Sequence, residues 1–216
     1  YEEFNDKTNS AAIVHLGKVQ VRLRNIKNHD IGPSDSLYLS ATTSLLDTAY
    51  IGIRFHESYT DTLSAFLLQI RVGRLSLPML NPVIGPLASA KVVSGYLDTL
   101  ELKAIGREYI AHGKMKMLYK DLKVEFLNKN DQGKKTFVTK VISIVANLLV
   151  KRNNLKTSGS VFAERNRERS FINYWIKIVL GGSLTNAGIR SNSKQEKKYR
   201  KALKKVNVPE IPNVEL

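Results

Sequence analysis

The chain has 216 residues, 34 Lys and Arg against 19 Asp and Glu, a formal net charge of +15, and no cysteine. That length fits one large all-β unit or two small domains, and the missing cysteines exclude a disulfide scaffold and a thiolate metal site. The charge implies an anionic partner: nucleic acid, an acidic protein or an anionic membrane surface.

No run reaches the roughly 18–20 apolar residues a spanning helix needs. The chain begins at Tyr1 with no initiator Met, and is read as the ordered part, or the carboxy-terminal part, of a longer polypeptide, with any targeting or anchoring segment upstream.

Taken in order, Tyr1 to Ser10 is polar and reads as a connection. Lys18–Arg24 alternates strictly, with Val19, Val21 and Leu23 on one side and Lys18, Gln20, Arg22 and Arg24 on the other. This predicts a half-buried strand. Asn25 to Ser36 carries Gly32-Pro33 and reads as a loop. Leu37, Leu39 and Ala41 mark a second strand; Ala49, Ile51, Ile53 and Phe55 a third; Thr62 to Val72 reads as a fourth, with Phe66, Leu68, Ile70 and Val72 on one side. Leu77 to Ser89 holds three prolines and reads as a buried loop with one short helical turn, capping an end of the sheet. Near Asp98-Thr99 the parity of apolar residues shifts, which predicts a β-bulge.

Ser94 to Lys129 is the most patterned stretch. A two-residue loop at Arg107-Glu108 sets Ala104 opposite Ala111, Leu102 opposite Gly113 and Leu100 opposite Met115. A second at Lys120-Asp121 sets Tyr119 opposite Leu122, Met117 opposite Val124 and Met115 opposite Phe126. Both placements give the same apolar face. Lys103, Lys114, Lys116, Lys123 and Glu125 fall on the other face, with Lys116 opposite Glu125.

Thr136 to Lys151 carries a helical stripe of Phe137, Val141, Ile144, Val145 and Leu148. Ser160 to Glu164 reads as a short strand. Arg165 to Leu180 reads as a helix with Phe171, Tyr174, Trp175, Ile178 and Val179 on one face, ended by Gly181-Gly182. Gly188 to Lys205 is a basic tail with only Glu196 against it, and Val206 to Leu216 is extended. The expected fold is mainly β with C-terminal helices. Residues 1–130 form a curved antiparallel sheet with a hydrophobic groove, and residues 131–216 form two or three amphipathic helices in a basic region.

No catalytic constellation is found. His15, His29, His56 and His112 are scattered without ligand spacing. No nucleophile elbow or phosphate loop occurs. The expectation is therefore a protein that is not an enzyme and takes no cofactor or metal.

The apolar face has two readings. It is the core, covered by another sheet or by the helices, or an open surface for acyl chains. The second meets an energetic need, since each methylene left in water costs about 0.8 kcal/mol, or on the order of 12 kcal/mol for roughly sixteen carbons. The Phe171/Trp175 helix is likewise either packed on the sheet or laid in a membrane interface. The tail is either a solvated helix or a source of attraction to anionic lipid, at about 1 kcal/mol per cation.

Three segments, GYLDTL from Gly95, GKMKMLYKDLKVEFL from Gly113 and ERNRERSFINYWIK from Glu164, together resemble the carboxy-terminal region of AsmA-like envelope proteins, including the TamB-like group. The match is strongest over Gly95–Lys129 and Val161–Gly182. The resemblance implies an elongated β-groove carrying phospholipid between inner and outer membranes, a periplasmic location, and an inner-membrane helix upstream. On that reading Leu100, Leu102, Met115, Met117, Tyr119, Leu122, Val124 and Phe126 line the groove. Arg165, Arg167, Arg169, Phe171, Trp175, Lys197, Lys198 and Lys201 then meet the membrane or a partner. The expected partners are phospholipid or another acyl lipid, a membrane surface and an outer-membrane protein complex. Two other readings stay open: a structural subunit of a larger envelope assembly, and a nucleic-acid-binding protein suggested by charge alone. The second lacks the strand-face aromatics among Lys and Arg that single-strand binders use.

Overall fold

A computed structural model describes residues 2–5, 9–126, 150–205 and 216. Its centre is a curved, unclosed antiparallel sheet of eight strands. The strands are β3 (Leu16–Arg24), β4 (Ser36–Leu45), β5 (Ala49–Ser58), β6 (Phe66–Val72), β7 (Leu75–Ser76), β8 (Ala90–Gly106), β9 (Ile110–Phe126) and β10 (Ser158–Glu164). Their order across the sheet is β10-β9-β8-β6-β5-β4-β3, with β7 paired to β8. A separate two-stranded ribbon joins β1 (Glu2–Asn5) to β2 (Ser10–Ile13). The polar start of the chain, expected as a connection, thus forms strands.

The alternation in β4, β5 and β6 places the expected residues. Phe66, Leu68, Ile70 and Val72 are all buried, while Arg71 on the opposite face is exposed. Leu77–Leu80 forms a 3-10 turn and Asn81–Ala88 a helix, α1, in place of the single turn expected. The Asn81 side chain ties this unit to β8, accepting from Val92 N at 2.8 Å and donating to Val92 O at 2.9 Å.

β9 is one continuous 17-residue strand paired along β8, so no hairpin lies at Lys120-Asp121. Asp121 instead takes a left-handed φ of 52°, and β8–β9 pairing is interrupted between Val92 and Ser94, Ser94 and Tyr96, and Leu97 and Thr99. The last of these is the bulge expected at Asp98-Thr99. A bulge and a two-residue loop both offset alternation by one residue, and either buries Tyr119 together with Leu122. The β8–β9 connection spans Arg107–Tyr109, closed by Arg107 N–H donating to Ile110 O at 2.8 Å. Register therefore moves by two residues: Leu100 faces Met117, Leu102 faces Met115 and Ala104 faces Gly113. An even shift keeps the apolar face intact. Lys116 lies opposite Glu101, and Glu125 opposite Lys91.

Two helices follow β10: α2 (Phe171–Asn186) and α3 (Ser193–Lys205). Ser170 starts α2 by accepting from Asn173 N at 3.1 Å. The helix runs through Gly181-Gly182 instead of ending there, because both glycines lie where it presses on the sheet. The basic tail is helical in α3. The expected helix over Thr136 to Lys151 falls almost wholly outside the described residues, as does the stretch from Val206 to Leu216 expected to be extended. Since β10 is an edge strand of the sheet, residues beyond 130 supply sheet as well as helices.

Candidate functional site

Register fixes which residues share a face. One row runs Val21, Ala41, Ile53, Ile70, Leu102, Met115, and the next runs Leu23, Leu39, Phe55, Leu68, Ala104, Gly113, Val161. The apolar face thus crosses seven strands without a charged residue in either row. Its cover changes along the way. Met115, Leu68 and Val161 are wholly buried, Ile53 and Leu39 are half-buried, and Val21 is 56% exposed.

The closed half lies under the chain's own C-terminal segments. Gly182 of α2 presses on Met115 and Val161. Asn186 Nδ2 donates to Met115 O at 3.0 Å and Gly182 O at 2.9 Å, and Asn154 Nδ2 donates to Met117 O at 2.8 Å. Tyr119 donates its hydroxyl to Lys151 O at 2.9 Å, and burial pushes its pKa up to about 12. These hydrogen bonds tie α2 and the Lys151–Asn154 segment to β9.

An aromatic cluster ends the covered half. Phe171 lies 5.2 Å from Phe66 and 5.9 Å from Phe55, and Trp175 lies 5.7 Å from Phe55, centroid to centroid. The Arg165 guanidinium stacks 5.1 Å above Phe171 and 5.8 Å above Tyr174. Nearby Glu57 has its pKa raised by burial and pulled back by Arg165.

The residues expected to line a groove are therefore core. Leu100, Leu102, Met115, Met117, Tyr119, Leu122 and Val124 are at most 8% exposed, and Phe126 is half-buried. The residues expected to meet a membrane or partner divide in three. Phe171, Trp175 and Arg165 pack onto the sheet, as above. Arg167 is tied to the β8–β9 turn, 3.0 Å from Glu108 and 3.1 Å from the Tyr109 hydroxyl. Arg169, Lys197, Lys198 and Lys201 are exposed.

The open part of the face lies at β3–β5, where the expectation of a half-buried β3 fails. Val19, Val21 and Leu23 are 56%, 56% and 47% exposed, because among the described residues β4 is the only strand paired with β3 and no helix packs on it. Strict alternation signals a two-faced strand but not whether anything covers the apolar side. On the opposite face of these strands Arg22, Arg24 and Arg54 are exposed, with Arg24 5.8 Å above the Tyr38 ring and Tyr38 stacked on His56 at 4.6 Å.

Further along that outer face α3 covers His112, Ile105 and Phe162, with Tyr199 5.9 Å from Phe162. His112 is buried and its pKa is lowered, chiefly by burial; Glu196 opposes the shift, and Arg200 and Arg107 add to it. Among the described residues no three His, Asp or Glu side chains converge as a metal would need, and no helix is long and apolar enough to cross a membrane.

No family model, curated protein or solved structure matches the chain.

Proposed function

We propose that this is a non-enzymatic lipid-handling module of the cell envelope, shielding acyl chains against the open half of its apolar sheet face during phospholipid transport or outer-membrane biogenesis. The observation that carries this reading is the graded cover of one continuous apolar row, from a wholly buried Met115 to a largely exposed Val21. The acyl contact is assigned to Val19, Val21, Leu23, Leu39, Ile51 and Ile53, not to the sealed residues of β8 and β9. At about 3.3 Å per residue the ten residues of β4 give a strip of roughly 33 Å, ample for a fatty-acyl tail laid along the strands. Each methylene shielded there contributes about 0.8 kcal/mol. The exposed cations of α3, Lys197, Lys198 and Lys201, supply attraction to anionic headgroups that fades with salt. The resemblance to AsmA-like proteins supports a periplasmic site of action.

The test is mass spectrometry of lipid co-purifying with protein made in a Gram-negative host, with Val21→Glu/Ile53→Glu as comparison. Phospholipid on the parent and its loss from the folded variant are expected. A lipid-free parent, or equal lipid on both, overturns the reading. A second reading, a structural subunit of a larger outer-membrane assembly, is favoured by one observation: the sheet ends at β3 with nothing described beyond it.

A further inference from the structure

The two ends of the sheet are finished differently. At β10 the edge is enclosed: Val161 and Phe162 are buried, α2 presses Gly181 against the Phe162 carbonyl, and Asn192 donates to Ser160 O at 3.0 Å. At β3 no described element covers the edge, and both side-chain faces are exposed from Lys18 to Arg24. Alternate residues of an edge strand point N–H and C=O away from the sheet, a row of unsatisfied backbone groups ready for another strand.

Proteins guard such edges with bulges and charge. β3 has a bulge, between Gly17 and Gln20, with Lys18 at a φ of 49°. It interrupts only the first part of the strand. Gln20–Arg24 pairs with β4 in unbroken register and presents a regular edge. A guarding charge works best on the inward side of a strand. Here the inward side carries Val21 and Leu23, and the arginines sit on the outer side.

We infer that the edge of β3 over Gln20–Arg24 is a docking site for one further antiparallel strand, supplied by another protein, whose residues alternate apolar and acidic. The apolar residues extend the rows that begin with Val21 and Leu23. The acidic ones meet Arg22, Arg24 and Arg54, which form no ion pair with any described carboxylate. The same charges disfavour a second copy of this chain. Antiparallel β3–β3 pairing about Val21 sets Arg24 opposite Lys18 and places both copies' arginines on one face. Docking of this kind draws affinity from main-chain bonds and selectivity from alternate side chains.

Two synthetic nine-residue peptides test this on the whole chain, one alternating Val and Glu, the other Val and Lys. Binding is read by fluorescence anisotropy, and amide hydrogen exchange locates it. The expected result is at least tenfold tighter binding of the Val/Glu peptide, with new protection confined to β3. Arg22→Glu/Arg24→Glu should reverse the preference while exchange elsewhere stays unchanged. These substitutions lie on exposed positions away from the acyl-contact face, so lipid co-purification should survive them; the two proposals therefore fail separately. Equal binding of both peptides, absence of protection at β3, or a concentration-dependent dimer protected at β3 without peptide overturns the inference.

Discussion

Gly182 of α2 sits against Met115 of β9 so closely that a Cβ on the glycine would lie 2.8 Å from Met115 Cε and 2.9 Å from its Sδ. One position earlier, a Cβ on Gly181 would lie 2.9 Å from the Phe162 carbonyl oxygen. The two neighbours differ in what they can do. A thioether tip can shift, whereas a strand carbonyl moves only with its backbone. Replacing Gly by Ala in a helix gains up to about 1 kcal/mol. A Cβ on Gly182 would also lie 2.9 Å from the buried Val161 Cγ2, so Gly182→Ala is expected to destabilise by up to about 1 kcal/mol and Gly181→Ala by about 1–2 kcal/mol. Urea midpoints of the two variants check this, and the reverse order would place the helix wrongly.

Asn186 bridges helix and sheet through Met115 O and Gly182 O, and its Oδ1 accepts from Asn154 Nδ2 at 3.1 Å. Asn186→Ala removes the buried side-chain bonds that join Met115 O, Gly182 O and Asn154 Nδ2 and should cost about 2–3 kcal/mol. Tyr119→Phe removes only the hydroxyl that reaches Lys151 O and, at 3.3 Å, Asn186 O, and about 1 kcal/mol is expected. Chemical denaturation gives both values.

His112 makes stability depend on pH. Its folded pKa lies below the unfolded 6.5, so between those values the unfolded chain binds more protons. Stability from this group is complete above about pH 6.5 and is lost as pH falls toward the folded pKa. Thermal melts from pH 7.5 to 5 should show the loss, and His112→Leu should flatten it. Proton NMR of the His112 ring gives the folded value directly; a pKa above 6.5 would refute the sign.

Phe171 bridges Phe55 and Phe66 at the boundary between the covered and open halves of the sheet. Phe171→Ala should cost about 2–3 kcal/mol, less than the roughly 3–5 kcal/mol of a fully buried aromatic. It should also raise binding of an environment-sensitive apolar dye, because the open surface grows toward Phe66. Unchanged dye binding would mean that Phe171 covers nothing.

Much of the fold was legible in the residues. Alternation at Leu37–Ala41, Ala49–Phe55 and Phe66–Val72 located three strands and their inward sides, and the parity break at Asp98-Thr99 located a bulge. The misread hairpin at Lys120-Asp121 has a physical cause, since a bulge and a tight loop leave the same offset in the pattern. Asp121, a residue type tolerant of positive φ, suits either. The expected site fared differently. Periodicity identifies an apolar face, and it marked Met115 and Val21 alike. What separates them is the return of α2 and of Asn154 onto β9, contacts between residues far apart in the chain that no local spacing encodes.

Apart from the brief β7, each described strand of the main sheet pairs with the described strand next to it in the sequence, from β3 to β10. Such an order lets the sheet grow in the direction of synthesis, each new strand meeting a partner that has already emerged. The late step is the docking of Phe171 and Trp175 onto Phe55 and Phe66, which waits until α2 has left the ribosome. Until then the whole greasy side of the nascent sheet stands uncovered, and that interval is when a chaperone has most to protect.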